Sequence, residues 1–281
     1  YARIADRHEF YGLLAAEEIG RGLSVPPRAA PPTPAELAAV RANPGFRRAL
    51  AFYGVGLRYE GNLEWNFQLR GLSDRQLLAA AEFARRNQVY DRAVNTSART
   101  VEEHDYSLRF LRPFENAIEA AAAEQDLDPA WIFGLIRQES RFVARVSSSA
   151  GARGLMQLMP ATARWAARKM GLRGFRTSQL SDVRTNLDLG TWYLRRVYDQ
   201  FDGSLLLAAA GYNAGPGRPR NWSRSLSEPI EGAVFAETIP FSETRDYVKQ
   251  VLTNATIYAA LMGGPRQPLK QLLGQVHPPG P

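Results

Sequence analysis

One glutamate lies among hydrophobic residues in a segment that reads as a helix beginning at Pro129. Three residues precede Glu139 at spacings that place all four on one helix face: Ile132, Leu135 and Ile136. Burial disfavours a charged carboxylate, so the pKa of Glu139 should be raised and the group should keep its proton near neutral pH. Such an acid can act as a general acid. A structural alternative stays open, in which Glu139 pairs with a neighbouring arginine.

The loop after this helix adds flexible backbone and polar groups. The segment "SSSAGARGLMQLMP" contains Gly151 and Gly154, which let other groups approach the backbone closely. Gln157 supplies an amide that can both donate and accept hydrogen bonds. Met159 is of a type found more often in a core than in a site.

A third segment, "AAAGYNAGPGRPRNW", ends an apolar helix and places Tyr212 and Asn213 at a tight turn. A phenol beside an amide suits carbohydrate recognition, because it combines a flat face with a directional hydrogen-bonding group. Asparagines in turns often serve only their own backbone, so a structural role is the alternative.

A fourth segment, "ETIPFSETRDYVKQVL", predicts a helix with Ser242 at the N-cap and Glu243 in the first turn. Its apolar stripe runs through Tyr247, Val251 and Leu252. The helix dipole is a sufficient reason for an acidic residue in a first turn. These residues alone therefore assign no function to Glu243.

Residue types exclude several chemistries. The chain has no cysteine, which removes disulfides, thiolate nucleophiles and cysteine-bound zinc. Its histidines, His8, His104 and His277, lie outside all four segments, and no lysine follows a glycine as a phosphate-binding loop requires. We therefore expect neither a metal nor a cofactor.

The net charge is +7, and all but three of the 35 basic residues are arginine. An anionic polymer, such as nucleic acid or a cell-wall glycan carrying carboxylates, would be one reason for this charge. The arginines are scattered without a dense run, which favours a solvated basic surface. We expect no nucleic-acid partner and only weak attraction to an anionic matrix. No apolar run approaches the ~20 residues of a membrane-spanning helix.

Signals for strands are almost absent, and signals for helices recur along the chain. Thr33 with Glu36 and Ser73 with Gln76 each have the spacing of a capping box. Short helices broken by proline and glycine continue to about Thr100, as in stacked helical hairpins. We therefore predict an all-α protein with two parts, a helical N-terminal domain over 1–108 and a helical C-terminal domain over 109–281.

Four separated blocks, "RQES", "GARGLMQLMP", "YNAGPGR" and "ETIPFSETRDYVKQVL", resemble the signature blocks of soluble lytic transglycosylases, whose catalytic domain is lysozyme-like. This resemblance covers about residues 109 to 262. "HEFYGLLAAEEIG" and "EFARRNQVYDRAV" are similar to the linker domain that precedes the catalytic domain in the large periplasmic members. The resemblance implies a goose-type-like lysozyme fold after a solenoid-like linker domain, which would be the end of a longer α-superhelical region.

The resemblance also implies roles for particular residues. Glu139 matches the single catalytic acid and base. The substrate-binding positions of the family fall on six further residues: Ser148, Gln157, Met159, Tyr212, Asn213 and Glu243. The family's "AYN" reads Gly211-Tyr212-Asn213 here, which removes a methyl group and, we expect, loosens the turn without removing a chemical group.

The implied reaction cleaves the β-1,4 bond between N-acetylmuramic acid and N-acetylglucosamine in peptidoglycan without water and leaves 1,6-anhydro ends. The substrate's acetamido oxygen would take the place of a second carboxylate. Two alternatives remain. A muramidase of the same fold would use water, with Glu243 or Glu237 as the second carboxylate. A non-catalytic wall-binding scaffold would keep the cleft but is expected to lack Glu139.

We expect peptidoglycan glycan strands as the binding partner, with other cell-wall enzymes as further partners. We also expect a monomer without a membrane span. The implied location is the periplasm. The chain begins at Tyr1 without an initiator methionine, so we interpret it as a mature or trimmed fragment.

Overall fold

The computed structural model describes residues 1–264 and 267–278. In chain order the helices are α1 (Phe10–Glu18), α2 (Pro34–Ala42), α3 (Pro44–Gly54), α4 (Arg58–Gln68), α5 (Asp74–Arg86), α6 (Tyr90–Ser97), α7 (Tyr106–Arg109), α8 (Glu115–Glu124), α9 (Pro129–Glu139), α10 (Pro160–Lys169), α11 (Val183–Asp199), α12 (Leu205–Ala214), α13 (Gly217–Arg224), α14 (Gly232–Thr238), α15 (Ser242–Leu261) and α16 (Leu269–Leu273). A 3-10 turn spans Thr177–Ser181, and two short antiparallel strands pair β1 (Ile230–Glu231) with β2 (Gln275–Val276). The prediction of an all-α protein is confirmed.

Contacts between residues divide the chain into two units. Unit 1 contains Tyr1–Ser24, Phe114–Ser140 and Ala144–Pro281, and unit 2 contains Val25–Pro113 and Arg141–Val143. That the chain folds as two domains, 1–108 and 109–281, stays a prediction.

Unit 2 is an array of short helices with its own core. Both predicted capping boxes are present: the Thr33 hydroxyl accepts from the backbone N–H of Glu36, and the Ser73 hydroxyl accepts from that of Gln76. The core centres on Trp65, whose ring contacts Phe46 and Phe83 at centroid distances of 4.7 and 6.5 Å.

The first 24 residues belong to unit 1 through their packing on its C-terminal helices. Helix α1 lies against α15 and α16. The Tyr11 hydroxyl donates to Glu237 at 2.7 Å, and the Lys249 ammonium donates to both Tyr11 and Glu237, at 3.1 and 3.2 Å. The carboxylate of Glu17 accepts from two backbone N–H groups in the first turn of α16.

Helices α9 and α15 form the central pair of unit 1. Helix α9 begins as the sequence predicts, because the Asp128 carboxylate accepts from the backbone N–H of Ala130 at 2.7 Å. The helices approach closely at Gly134, where an added Cβ would lie 2.8 Å from the backbone nitrogen of Ala255. Only a glycine allows this separation. The close approach brings the end of α9, where Glu139 lies, next to the first turns of α15.

The start of α15 differs by one residue from the sequence prediction. Ser242 is the first residue of the helix, and Phe241 occupies the N-cap without a side-chain hydrogen bond. Ser242 as the N-cap was therefore wrong, whereas Glu243 does lie in the first turn.

Candidate active site

Glu139 ends helix α9, and its carboxyl group contacts a tyrosine on α15. The Tyr247 hydroxyl donates to Glu139 Oε1 at 2.7 Å, although the two residues are 108 positions apart in sequence. Tyr247 is buried, with an exposed fraction of 5%, whereas Glu139 is partly exposed. The carboxyl group is thus enclosed on the protein side and open on the other.

The electrostatic surroundings favour the protonated form of Glu139. Burial raises its pKa from 4.5 to about 7, the hydrogen bond from Tyr247 opposes this rise, and the negative charge of Glu243 adds to it. Within the described ranges, no arginine or lysine forms an ion pair with Glu139. Arg137, on the same helix, donates to the Asn254 side chain at 2.9 Å. The structural alternative from the sequence, an ion pair with a neighbouring arginine, does not describe this geometry.

The open side of Glu139 faces a cleft of about 740 Å³. All seven residues suggested by the sequence resemblance line it: Glu139, Ser148, Gln157, Met159, Tyr212, Asn213 and Glu243. The same cleft is also lined by Gln138, Thr162, Tyr193, Asp246 and Tyr247. The tertiary structure therefore brings all four sequence blocks to one concave surface.

Two of these residues stabilise the loop that forms one wall of the cleft. The Ser148 hydroxyl accepts from the backbone N–H of Ala152 at 3.0 Å, and the Gln157 amide nitrogen donates to the carbonyl of Gly154 at 2.7 Å. Gln157 has a φ of 45°, a backbone conformation that residues other than glycine seldom adopt. Met159 leaves 43% of its surface exposed, which fits a wall residue better than a core residue.

The phenol of Tyr212 is used inside the protein. It donates to the backbone carbonyl of Met156 at 2.8 Å, and burial raises its pKa well above its ordinary value. The ring lies 5.4 Å from that of Tyr193, which also lines the cleft. Tyr212 thus joins the end of α12 to the loop before α10, and its phenol hydrogen is already engaged.

The first turn of α15 carries Glu243 and contacts Asn213 through the next residue, Thr244. The Thr244 hydroxyl donates to the Asn213 side-chain oxygen at 2.7 Å. Glu243 itself is exposed at the rim of the cleft, where its charge reaches Glu139. A turn follows α12 as predicted, with Gly215 at a φ of 82°, but Tyr212 and Asn213 lie in the last turn of the helix itself.

Gly211 has a packing role that the sequence did not reveal. It lies inside α12, where an added Cβ would be 2.9 Å from Val197 Cγ1 and 3.0 Å from Phe201 Cε2. The expectation that glycine loosens this turn is wrong, because the missing methyl group lets α12 approach its neighbours closely.

The sequence interpretation missed Tyr247 and Thr244. Tyr247 was placed on the apolar stripe of α15, which is correct, but nothing in the sequence indicated that its hydroxyl would reach Glu139. The available signal was the spacing in the last sequence block, where Tyr247 follows Glu243 by four residues and so lies on the same face of the predicted helix.

Glu237, proposed as a second carboxylate for a water-using enzyme, lies outside this cleft lining. Its carboxylate accepts from Tyr11 and Lys249, which lower its pKa. No cluster of three or more potential metal ligands was found among residues 1–264 and 267–278. Over the same residues no helix is both long and apolar enough to cross a bilayer.

Comparison with known families identifies three matching regions. Residues 39–103 match the L domain of soluble lytic murein transglycosylase, residues 116–231 match the transglycosylase SLT domain, and residues 238–267 match the soluble lytic transglycosylase helical domain. The chain belongs to the soluble lytic transglycosylase family. The resemblance seen in the sequence is confirmed, including its linker part.

Known members of this family are similar to this chain, in sequence and in structure, over nearly its whole length. The soluble lytic murein transglycosylase of Escherichia coli K12 is 32% identical over 93% of this chain and 40% of its own length. The lytic transglycosylase Slt of Pseudomonas aeruginosa, solved as an inactive mutant, superposes with a TM-score of 0.84 and 37% identity over 96% of this chain and 44% of its own. The E. coli enzyme SLT70 gives a TM-score of 0.81 and 30% identity over 97% and 43%. This chain spans about two fifths of the length of these relatives.

Proposed function

We propose that this chain carries the catalytic part of a peptidoglycan lytic transglycosylase, which cleaves the β-1,4 bond between N-acetylmuramic acid and N-acetylglucosamine. The observation that carries the proposal is the state of Glu139. It lies in a cleft, pairs with no cation in the described part of the chain, and has a pKa raised to about 7. The kinship with soluble lytic murein transglycosylases supports the substrate.

In the proposed first step, protonated Glu139 gives its proton to the glycosidic oxygen as the bond to the anomeric carbon breaks. The acetamido oxygen of the muramic acid residue attacks that carbon, which forms a cyclic oxazolinium ion and takes the place of a carboxylate nucleophile. The Tyr212 ring and the Asn213 amide line the space where this acetamido group would bind.

In the second step, ionised Glu139 removes the proton from the C6 hydroxyl of the same sugar. The C6 oxygen then bonds to the anomeric carbon and restores the acetamido group, which closes the 1,6-anhydro ring. A single residue can perform both steps because a pKa near 7 lets each protonation state form at neutral pH. Tyr247 stabilises the ionised state through its hydrogen bond to Oε1.

The products of digested sacculi test this proposal. Mass spectrometry of muropeptides released by the purified chain should detect 1,6-anhydro ends, and Glu139→Gln should release none. Ends that borohydride reduces would instead indicate a muramidase. Binding to sacculi without release of soluble muropeptides would indicate a wall-binding scaffold.

The muramidase remains the second candidate because Glu243 is a carboxylate in the same cleft. The two reactions differ in what reaches the anomeric carbon, water or the C6 oxygen.

We further propose a periplasmic location and peptidoglycan glycan strands as the partner, in accord with the family. We also propose Ser148, Gln157 and Met159 as substrate-binding residues, which is supported by their place in the cleft lining.

A further inference from the structure

A buried threonine in the last sequence block contacts a cleft residue directly. Thr244 lies in the first turn of α15 with an exposed fraction of 3%, and its hydroxyl donates to Asn213 Oδ1 at 2.7 Å. Asn213 is partly exposed and lines the cleft together with Glu139. The threonine itself does not line this cleft, so any influence on a substrate would pass through Asn213.

The oxygen and the nitrogen of an asparagine side-chain amide have opposite hydrogen-bonding roles. The oxygen accepts hydrogen bonds and the nitrogen donates two. Here the oxygen of Asn213 is occupied by Thr244, while the side-chain nitrogen has no hydrogen-bond partner among the described residues. The amide is therefore oriented so that its free donors remain for the cleft.

We propose that Thr244 is a positioning residue that fixes the amide orientation of Asn213, so that this position offers a hydrogen-bond donor to the sugar. The matching group on the ligand is a carbonyl oxygen, and the N-acetyl carbonyl of an amino sugar is such an acceptor. This inference rests on the proposed function for the identity of the sugar. It goes beyond it by assigning the direction of the hydrogen bond and the residue that sets it.

Loss of the Thr244 hydroxyl should release the amide. A valine at this position has nearly the same shape but cannot donate, so Asn213 Oδ1 loses its partner and the side chain can rotate about its last bond. A serine keeps the hydroxyl and should keep the orientation. The pair Thr244→Val and Thr244→Ser therefore separates the hydrogen bond from the volume of the side chain.

Helix α15 also offers a matched control. Thr253 is equally buried, at 3% exposed, and its hydroxyl has no hydrogen-bond partner among the described residues. Thr253→Val removes a buried hydroxyl from the same helix without touching Asn213. We expect it to leave sugar binding unchanged.

The test measures binding, so that it does not depend on turnover. In a Glu139→Gln background, calorimetric titration with a β-1,4-linked N-acetylglucosamine hexamer should show about tenfold weaker binding for Thr244→Val, the effect of one hydrogen bond. Thr244→Ser should stay within about twofold of the background. Equal binding by the valine and serine variants would overturn the proposal, and so would an equal loss in Thr253→Val.

A double-mutant cycle then asks whether Thr244 acts through Asn213. If it does, Thr244→Val should weaken binding no further once Asn213→Ala is present. An undiminished tenfold loss in that background contradicts the proposal, because the threonine would then act by another route.

Asn213→Asp tests the direction of the hydrogen bond. A carboxylate still accepts from Thr244 but offers no donor to the sugar, so we expect a loss as large as in Asn213→Ala. Binding retained in Asn213→Asp would mean that the sugar donates to this residue, and the assignment would fail. If sacculi yield no anhydro ends but this coupling is present, the proposed reaction fails and the positioning role stands.

Discussion

Two helical glutamates, one in each unit, have opposite electrostatic surroundings. Glu82 lies on the buried side of α5 in unit 2 with an exposed fraction of 9%. It accepts from Arg85 and Arg86 at 2.7 Å, and these hydrogen bonds lower its pKa. Glu139 in unit 1 accepts from a neutral phenol and has a raised pKa.

The difference shows that removal from water alone does not decide the charge of a carboxyl group. Burial opposes ionisation in both places, but two guanidinium groups outweigh it at Glu82. At Glu139 one hydrogen bond from Tyr247 does not. The ion pair considered for Glu139 from the sequence is found at Glu82, which has the arrangement of a structural residue. Only Glu139 has the arrangement of an acid.

The largest expected difference between the two is in turnover. Glu139→Gln should lower kcat on sacculi by at least about 1000-fold, since proton transfer is lost in both steps. Glu82→Gln should stay within about twofold of wild type, because Glu82 lies in unit 2 and accepts hydrogen bonds from Arg85 and Arg86 of its own helix. Rates of muropeptide release for the two variants decide this. Substantial turnover by Glu139→Gln would contradict the assignment of Glu139 as the general acid.

The second expected difference is in how stability depends on pH. Because the folded state holds the pKa of Glu139 above 4.5, the fold binds the proton more tightly than the unfolded chain, and stability falls as pH rises from 4.5 to about 7. At pH 8 the accumulated cost is about 3 kcal/mol. Glu139→Gln should therefore raise the free energy of unfolding by up to about 3 kcal/mol at pH 8, and by little at pH 4.5.

Glu82→Gln should have the opposite sign. The lowered pKa of Glu82 stabilises the fold at pH values above the ordinary pKa of a glutamate, and this stabilisation is lost as pH falls. The substitution should therefore destabilise the chain by about 1 kcal/mol at pH 8 and by less at pH 3. Urea unfolding at several pH values measures both variants. Stability changes of the same sign would contradict the comparison between the two glutamates.

The smallest expected effect sharpens the comparison at Tyr247. Its hydrogen bond opposes the rise in the pKa of Glu139, so Tyr247→Phe should raise that pKa further. In wild type, kcat/KM should fall above about pH 7 as Glu139 ionises. In Tyr247→Phe this fall should begin at higher pH, and kcat should drop about tenfold because the ionised base loses one hydrogen bond. A pH profile that does not move would show that Tyr247 does not tune the acid.

Local features were predictable where neighbours in sequence create them. Thr33 and Ser73 cap their helices as expected, because each cap depends on a residue three positions away. Ser242 failed by one position, since Phe241 takes the N-cap. The residues named from the resemblance all line one cleft, because four blocks together identify the family even though none defines a geometry.

Features that depend on contacts between distant segments were not predictable. The sequence indicated that Tyr212 carries a useful phenol, but its hydrogen is donated to Met156, 56 positions away. The sequence interpretation expected Gly211 to loosen a turn, whereas in the structure this glycine lets α12 pack closely on Val197 and Phe201. Nothing near Asn213 in sequence revealed that Thr244 would contact its oxygen.

The sequence by itself determined that a carboxyl group would stand in line with hydrophobic residues at the end of a helix, in a chain without cysteine. Helical periodicity is enough to establish that alignment. The tertiary structure decided which groups surround the carboxyl, a phenol from α15 and no cation among the described residues. Because a pKa responds to atoms within a few ångströms, the packing of α15 on α9 makes Glu139 an acid rather than half of an ion pair.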